Sequence, residues 1–107
     1  MLAEETIKFA VNRLAAATNS PARIILFGSY ARGTATDESD LDLMVVEREL
    51  PDKAQEYLRL RRAIGGIGVG VDLLLYPAAE FECRSQVPGT VLFEARIDGK
   101  VLHDDLA

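Results

Sequence analysis

Three short apolar runs, RIILF (Arg23 to Phe27), LDLMVVE (Leu41 to Glu47) and VGVDLLLY (Val69 to Tyr76), alternate with stretches of helical periodicity. Short β-branched runs closed by turn residues read as strands, and strands alternating with helices imply an α/β (α+β) arrangement around a mixed central sheet. The first helix is expected over Ala3 to Thr18, where Ile7, Ala10, Val11, Leu14 and Ala15 recur at helical spacing, and Asn19-Ser20-Pro21 ends it. Pro51 and Asp52 open a second helix that runs to about Ile64, with Ala54, Tyr57, Leu58 and Ile64 expected to face inward. Short helices follow at Ala78 to Ser85 and Thr90 to Arg96, and a last strand at Lys100 to His103. Helices are expected to flank the sheet and to cover mainly one side of it.

The chain has 107 residues, 49% hydrophobic and 27% charged, which fits one domain spanning residues 1–107 with enough apolar material to fold unaided. Net charge is −5, so a long polyanion is a poor partner, whereas a small anion carried with a divalent metal is compatible with an acidic site. Cys83 is the single cysteine, which excludes an internal disulfide and, with no membrane span or signal pattern, points to the cytoplasm. With His103 as the single histidine, Cys83 reads as a structural or surface thiol rather than a nucleophile.

FGSYARGTATDESDLDL, Phe27 to Leu43, carries the chemistry. Residues two apart on a strand share a face, so Asp40 and Asp42 project together, about 6–7 Å apart at the backbone. Hard oxygen donors at that spacing suit one or two Mg²⁺ ions shared with phosphate oxygens and water. Gly28-Ser29 closes the preceding strand, where a side-chain-free residue admits a close ligand and free N–H groups at a helix start attract phosphate. Asp72 stands within the most apolar strand; buried alone it would cost several kcal/mol, so it needs a partner or an opening. Next to Asp40 and Asp42 it can share a metal and take a proton from an attacking hydroxyl in a two-metal phosphoryl displacement. Three such carboxylates repel one another, so one of them should have a raised pKa without metal.

Blander readings stand beside these. Asp40 and Asp42 can be a solvated strand edge next to Asp37 and Glu38, and Asp72 can be satisfied by an arginine or by backbone N–H groups. Arg32 either reaches a triphosphate or pairs with Asp37 or Glu38, Tyr30 either stacks on a base or covers the core, and Arg59, Arg61 and Arg62 complement a helix C-terminus. GGIGVG, Gly65 to Gly70, follows a helix and precedes a strand, the reverse of a dinucleotide-binding turn. Yet a G-S, ten-residue, D-x-D pattern arises by chance at about one position in 10⁵ at ordinary residue frequencies, so the whole constellation outweighs its parts.

Gly28, Ser29, Asp40, Asp42 and Asp72 resemble the motif of the DNA polymerase β-type nucleotidyltransferases, and GSYARG followed by SDLDLMVV is similar to the minimal nucleotidyltransferase (MNT) subfamily. The resemblance implies a polymerase β-like fold, with Asp40, Asp42 and Asp72 as metal-binding and catalytic residues and Gly28, Ser29 and Arg32 on the nucleotide. It implies two Mg²⁺ ions, ATP as substrate, and a HEPN-domain toxin partner that is silenced when AMP is transferred to one of its tyrosine hydroxyls. Two rivals remain at this stage: an antitoxin that acts by binding alone, and a transferase for a small-molecule hydroxyl.

Overall fold

A computed structural model describes residues 1–106. The chain runs α1 (Glu4–Ala17), β1 (Ala22–Phe27), α2 (Gly28–Arg32), β2 (Leu41–Glu47), α3 (Lys53–Ile64), β3 (Val71–Pro77), α4 (Ala78–Arg84), α5 (Val91–Asp98) and β4 (Lys100–Asp104). The four strands form one mixed sheet in the order β3-β2-β1-β4. β1 is antiparallel to β2 and to β4, whereas β2 and β3 are parallel, which makes α3 their crossover.

Alternation along the strands feeds two cores. Ile24, Leu26, Leu41, Leu43, Val45, Leu73 and Leu75 meet Ile7, Ala10, Val11 and Leu14 of α1 and Leu60 and Ile64 of α3. On the opposite face Ile25, Phe27, Met44 and Val46 meet Phe81 of α4 and Leu92 and Ala95 of α5. The sheet is therefore covered on both sides rather than mainly on one. β2 lies between two strands and two helical layers, which is why its alternation fades at Val45-Val46, both fully buried. Each fully buried leucine, Leu14, Leu41, Leu43, Leu60 and Leu92 among them, contributes about 1.5–3 kcal/mol.

The expected inward face of α3 is corrected. Ile64 is buried as expected, but Ala54, Tyr57 and Leu58 are exposed, and the buried stripe is Glu56, Leu60 and Ile64 at i, i+4 and i+8. Asp52 caps the helix by accepting from the Gln55 N–H at 3.1 Å. Glu56 can turn inward because it is supplied with donors: Asn19 N–H and Asn19 Nδ2 at 3.1 Å each, and the Arg59 guanidinium, which also donates to the Ala17 carbonyl.

Glu56 meets a second buried acid. Glu47, wholly inaccessible, ends β2; its Oε1 accepts from Ser20 N–H and Oγ at 3.3 Å, while its Oε2 has no donor among the described residues. Burial, followed by the hydrogen bond and the charge of Glu56, pushes Glu47 up to about 8. Burial also raises Glu56, but the bonds from Glu47, Asn19 and Arg59 outweigh it and leave that carboxyl below its ordinary value. At neutral pH Glu47 thus keeps its proton beside an ionised Glu56, where the end of β2 meets α3 and the turn after α1.

The native state keeps that proton where the unfolded chain has lost it, so stability from Glu47 is complete below about pH 4.5 and is lost as pH rises through about 8. The melting temperature is expected to fall between pH 6 and 8, with a slope of at most about 1.4 kcal/mol per pH unit for one proton. Glu47→Gln, which keeps a neutral hydrogen-bonding group, should flatten the profile there. An unchanged slope in thermal melts of the variant would refute the retained Glu47 proton.

No helix among the described residues is long and apolar enough to cross a membrane.

Candidate active site

Strand register assembles the site. Asp42 of β2 lies opposite Phe27 of antiparallel β1 and beside Asp72 of parallel β3. Phe27 leads directly into Gly28 at the start of α2, so the turn after β1 arrives next to the Asp42 carboxylate. Gly28 has φ +72°, and a Cβ there would lie 2.0 Å from Asp42 Oδ2. Only glycine permits both that backbone conformation and that approach. One step along β2, the Leu41 N–H donates to the Gly70 carbonyl at 2.9 Å, which sets Asp40 against Gly70. A Cβ on Gly70 would stand 2.5 Å from Asp40 Oδ1, so a second glycine gives a carboxylate its space. The Thr36 to Ser39 turn, closed by Thr36 N–H to Ser39 Oγ at 2.8 Å and Ser39 N–H to Thr36 O at 3.1 Å, leads the chain into Asp40.

Asp72 corrects one expectation. It is the second residue of β3 rather than in the middle of its apolar strand, and on this edge strand of the sheet it is exposed. The apolar run around it, Leu73 and Leu75, faces the core, while Asp72 faces the cleft with Asp42. Both escapes from isolated burial are therefore realised, an opening and a partner.

Electrostatics mark Asp42 as the centre. Burial raises it first, then its hydrogen bond with Asp72, then the charges of Asp72, Asp40 and Glu94, together bringing it to about 6. Neighbouring carboxylates repel one another when ionised, and a divalent cation between them would relieve that repulsion. The donor chemistry, the carboxylates of Asp42 and Asp72 in contact with Asp40 near enough for its charge to act on Asp42 and two glycines leaving room, fits Mg²⁺. Among the described residues no group of three His, Cys, Asp or Glu side chains stands close enough together to hold a metal ion, so the structure pairs Asp42 with Asp72 and does not bring Asp40 into one cluster with them.

No side chain caps α2, so the N–H groups after Gly28 and the half-buried Ser29 hydroxyl are available beside Asp42. Arg32 pairs with neither Asp37 nor Glu38; its Nη1 donates to Glu94 Oε1 of α5 at 2.7 Å, and Glu94 is the same charge that Asp42 feels. Tyr30 packs against the larger core, and its hydroxyl accepts from the Leu2 N–H at 3.1 Å. His103 is bonded to Asp105 at 2.8 Å, and Cys83 is exposed. The cleft, about 380 Å³, is lined by Asp42 and Asp72 together with Phe27, Tyr57, Val71 and Val91. Val91 and Glu94 were not singled out from sequence and Tyr57 was expected in the core, since each reaches the site from a helix whose orientation depends on distant contacts.

The nucleotidyltransferase domain family matches residues 6–98. The chain belongs to that family. Among curated relatives, the nucleotidyltransferase domain is 51% identical over 41 residues to a Methanocaldococcus jannaschii protein provisionally named protein adenylyltransferase MJ1305, covering 38% of this chain and 28% of the relative. A second protein of that organism with the same provisional activity, MJ0141, is 36% identical over 55 residues, covering 51% of this chain and 54% of its own length. The aligned stretches thus span between about a quarter and a half of these relatives.

The nucleotidyltransferase domain also shares its fold with solved structures. A provisionally named nucleotidyltransferase from Sulfolobus solfataricus superposes with a TM-score of 0.65 at 22% identity, covering 94% of this chain and 78% of the other. A toxin-antitoxin structure with AMP-PNP gives a TM-score of 0.67 at 24% identity, covering 98% and 76%.

Proposed function

We propose that residues 1–107 form a single minimal nucleotidyltransferase domain that moves AMP from ATP, with Mg²⁺, onto a hydroxyl of a partner protein, a tyrosine of a HEPN-type toxin, and so acts as an antitoxin. The observation that carries the chemistry is the Asp42–Asp72 contact laid over the side-chain-free Gly28. Support for the acceptor class comes from the provisional names of the relatives and from the toxin-antitoxin neighbour.

Asp40 and Asp42 would hold the metal ions, with Asp72 sharing one of them. When bound, the metals supply positive charge to the phosphate oxygens and to the attacking oxygen. Gly28 lets the triphosphate approach the backbone, and the adjacent N–H groups and Ser29 Oγ donate to its terminal phosphates. Arg32, turned from Glu94, adds a guanidinium to the same phosphates. Asp72 accepts the acceptor's proton as its oxygen bonds to the α-phosphorus; the bond to the bridging oxygen breaks and pyrophosphate leaves. A group centred near pH 6 at Asp42 would be ionised at neutral pH and ready for metal.

The test is incubation with labelled ATP, GTP, CTP or UTP plus Mg²⁺, with and without the protein encoded by the adjacent reading frame. ATP label on a tyrosine of that protein is expected. Label on no protein would remove the acceptor assignment.

A further inference from the structure

The outward ridge of α3 is the second unusual surface of the molecule. Lys53, Ala54, Tyr57, Leu58, Arg61 and Arg62 fall at i, i+1, i+4, i+5, i+8 and i+9, and all are exposed. Leu58 is 55% exposed and Tyr57 37%, so the ridge presents an aromatic-aliphatic centre between a lysine at one end and two arginines at the other. Arg61 donates to the Val71 carbonyl at 2.6 Å, and neither Arg61 nor Arg62 has an acidic partner among the described residues. A basic ridge is out of keeping with a chain of net charge −5.

This ridge is continuous with the reaction cleft. Tyr57 lines the cleft that holds Asp42 and Asp72, and it also lines an open apolar groove with Lys53, Ala54 and Leu58. The order β3-β2-β1 places Asp72, Asp42 and Gly28 in a row across the sheet. If the leaving pyrophosphate is gripped on the β1 side, in-line displacement requires the acceptor oxygen to arrive from the β3 side. On that side the structure offers the cleft wall, the free edge of β3 and the α3 ridge.

The geometry points to the α3 ridge as the docking surface for the acceptor protein, which presents its hydroxyl within an apolar segment flanked by acidic side chains. This rests on the transfer reading above and adds the direction of approach and the chemistry of the partner. Tyr57 and Leu58 supply the apolar anchor near the chemistry, while Lys53, Arg61 and Arg62 steer an acidic rim and fix its register. The −5 chain would otherwise repel such a partner, and the ridge is where that repulsion is locally reversed.

The experiment uses Leu58→Asp and Arg62→Glu, two exposed positions outside the nucleotide site, with the adjacent-frame protein as acceptor and labelled ATP with Mg²⁺. Melting curves check folding, and titration with Mg²⁺ and ATP checks the nucleotide site. The expected result is unchanged nucleotide affinity, with the KM for the acceptor protein raised about tenfold or more in each variant and kcat little altered. Acceptor kinetics equal to wild type in both variants would overturn the docking surface while leaving the transfer reading intact. A loss of nucleotide affinity in the variants would also overturn it, assigning the ridge to the nucleotide instead. A wild-type protein that binds Mg²⁺ and ATP yet labels no acceptor would overturn the transfer reading and this surface together.

Discussion

Asp42→Asn is expected to abolish nucleotidyl transfer, by about 10³-fold or more, while making the metal-free protein more stable at neutral pH. The rate loss follows from removing the carboxylate that would hold metal charge on the reacting phosphate, a stabilisation of several kcal/mol in sites of this type. The gain in stability has a separate cause. Asp42 is raised to about 6 by burial, by its bond with Asp72 and by the charges of Asp72, Asp40 and Glu94, so above that pH it is ionised against its surroundings. The native state then binds more protons than the unfolded chain between about pH 4 and 6, and stability falls as pH rises through that window. Asparagine removes the charge and can still hydrogen-bond to Asp72. Melting temperatures at pH 7.5 and single-turnover transfer assays should move in opposite directions, a pairing that a merely structural carboxylate would not give. An antitoxin acting by contact alone would keep neutralising its partner with Asn at this position.

Gly28→Ala is expected to be nearly as damaging to activity, and Gly33→Ala provides its control. Both glycines have left-handed backbones, φ +72° and +77°, so either substitution carries a similar strain, about 1–2 kcal/mol. They differ in what a Cβ would meet: nothing within 4 Å at Gly33, but Asp42 Oδ2 at 2.0 Å and Cγ at 2.9 Å at Gly28. The alanine methyl must displace the Asp42 carboxylate, and a shift on the order of 1 Å at a reacting group can cost about 10²-fold in rate. Comparable melting temperatures for the two variants, with transfer lost only in Gly28→Ala, would identify the close approach itself as the functional element. Equal activities would show that Asp42 does not need its position over Gly28.

Why the placement of the candidate Asp42–Asp72 pair was legible, and the inward face of α3 was not, has a physical basis. Strand periodicity is rigid, so DLD in an apolar run could be read as a strand carrying Asp42, and the parallel register brings Asp72 beside it. Closing a strand with Gly28-Ser29 is equally local. The inward face of α3, by contrast, depends on Glu56, which is tolerable inside only because Asn19, Arg59 and the protonated Glu47 meet it there. Those partners are up to 37 residues away in sequence, so residue type alone favoured Ala54, Tyr57 and Leu58. Cover on the second face of the sheet was equally hidden, because α4 and α5 are only 7 and 8 residues long and bury few residues each, Phe81 in one and Leu92 and Ala95 in the other. The Arg32–Glu94 pair joins residues 62 positions apart, and nothing local in either segment encodes it.

The central claim is that three carboxylates and the Gly28-Ser29 turn make one site that needs metal and nucleotide together. Thermal melting with Mg²⁺ alone, with ATP in EDTA, and with both, in wild type and in Asp40→Asn/Asp42→Asn, tests it most directly. The account expects wild type to rise most with both ligands, by about 2.7 kcal/mol at a hundredfold excess over Kd, and the double variant to show no such rise. Stabilisation by ATP that survives EDTA and both substitutions would place the nucleotide elsewhere and contradict the claim.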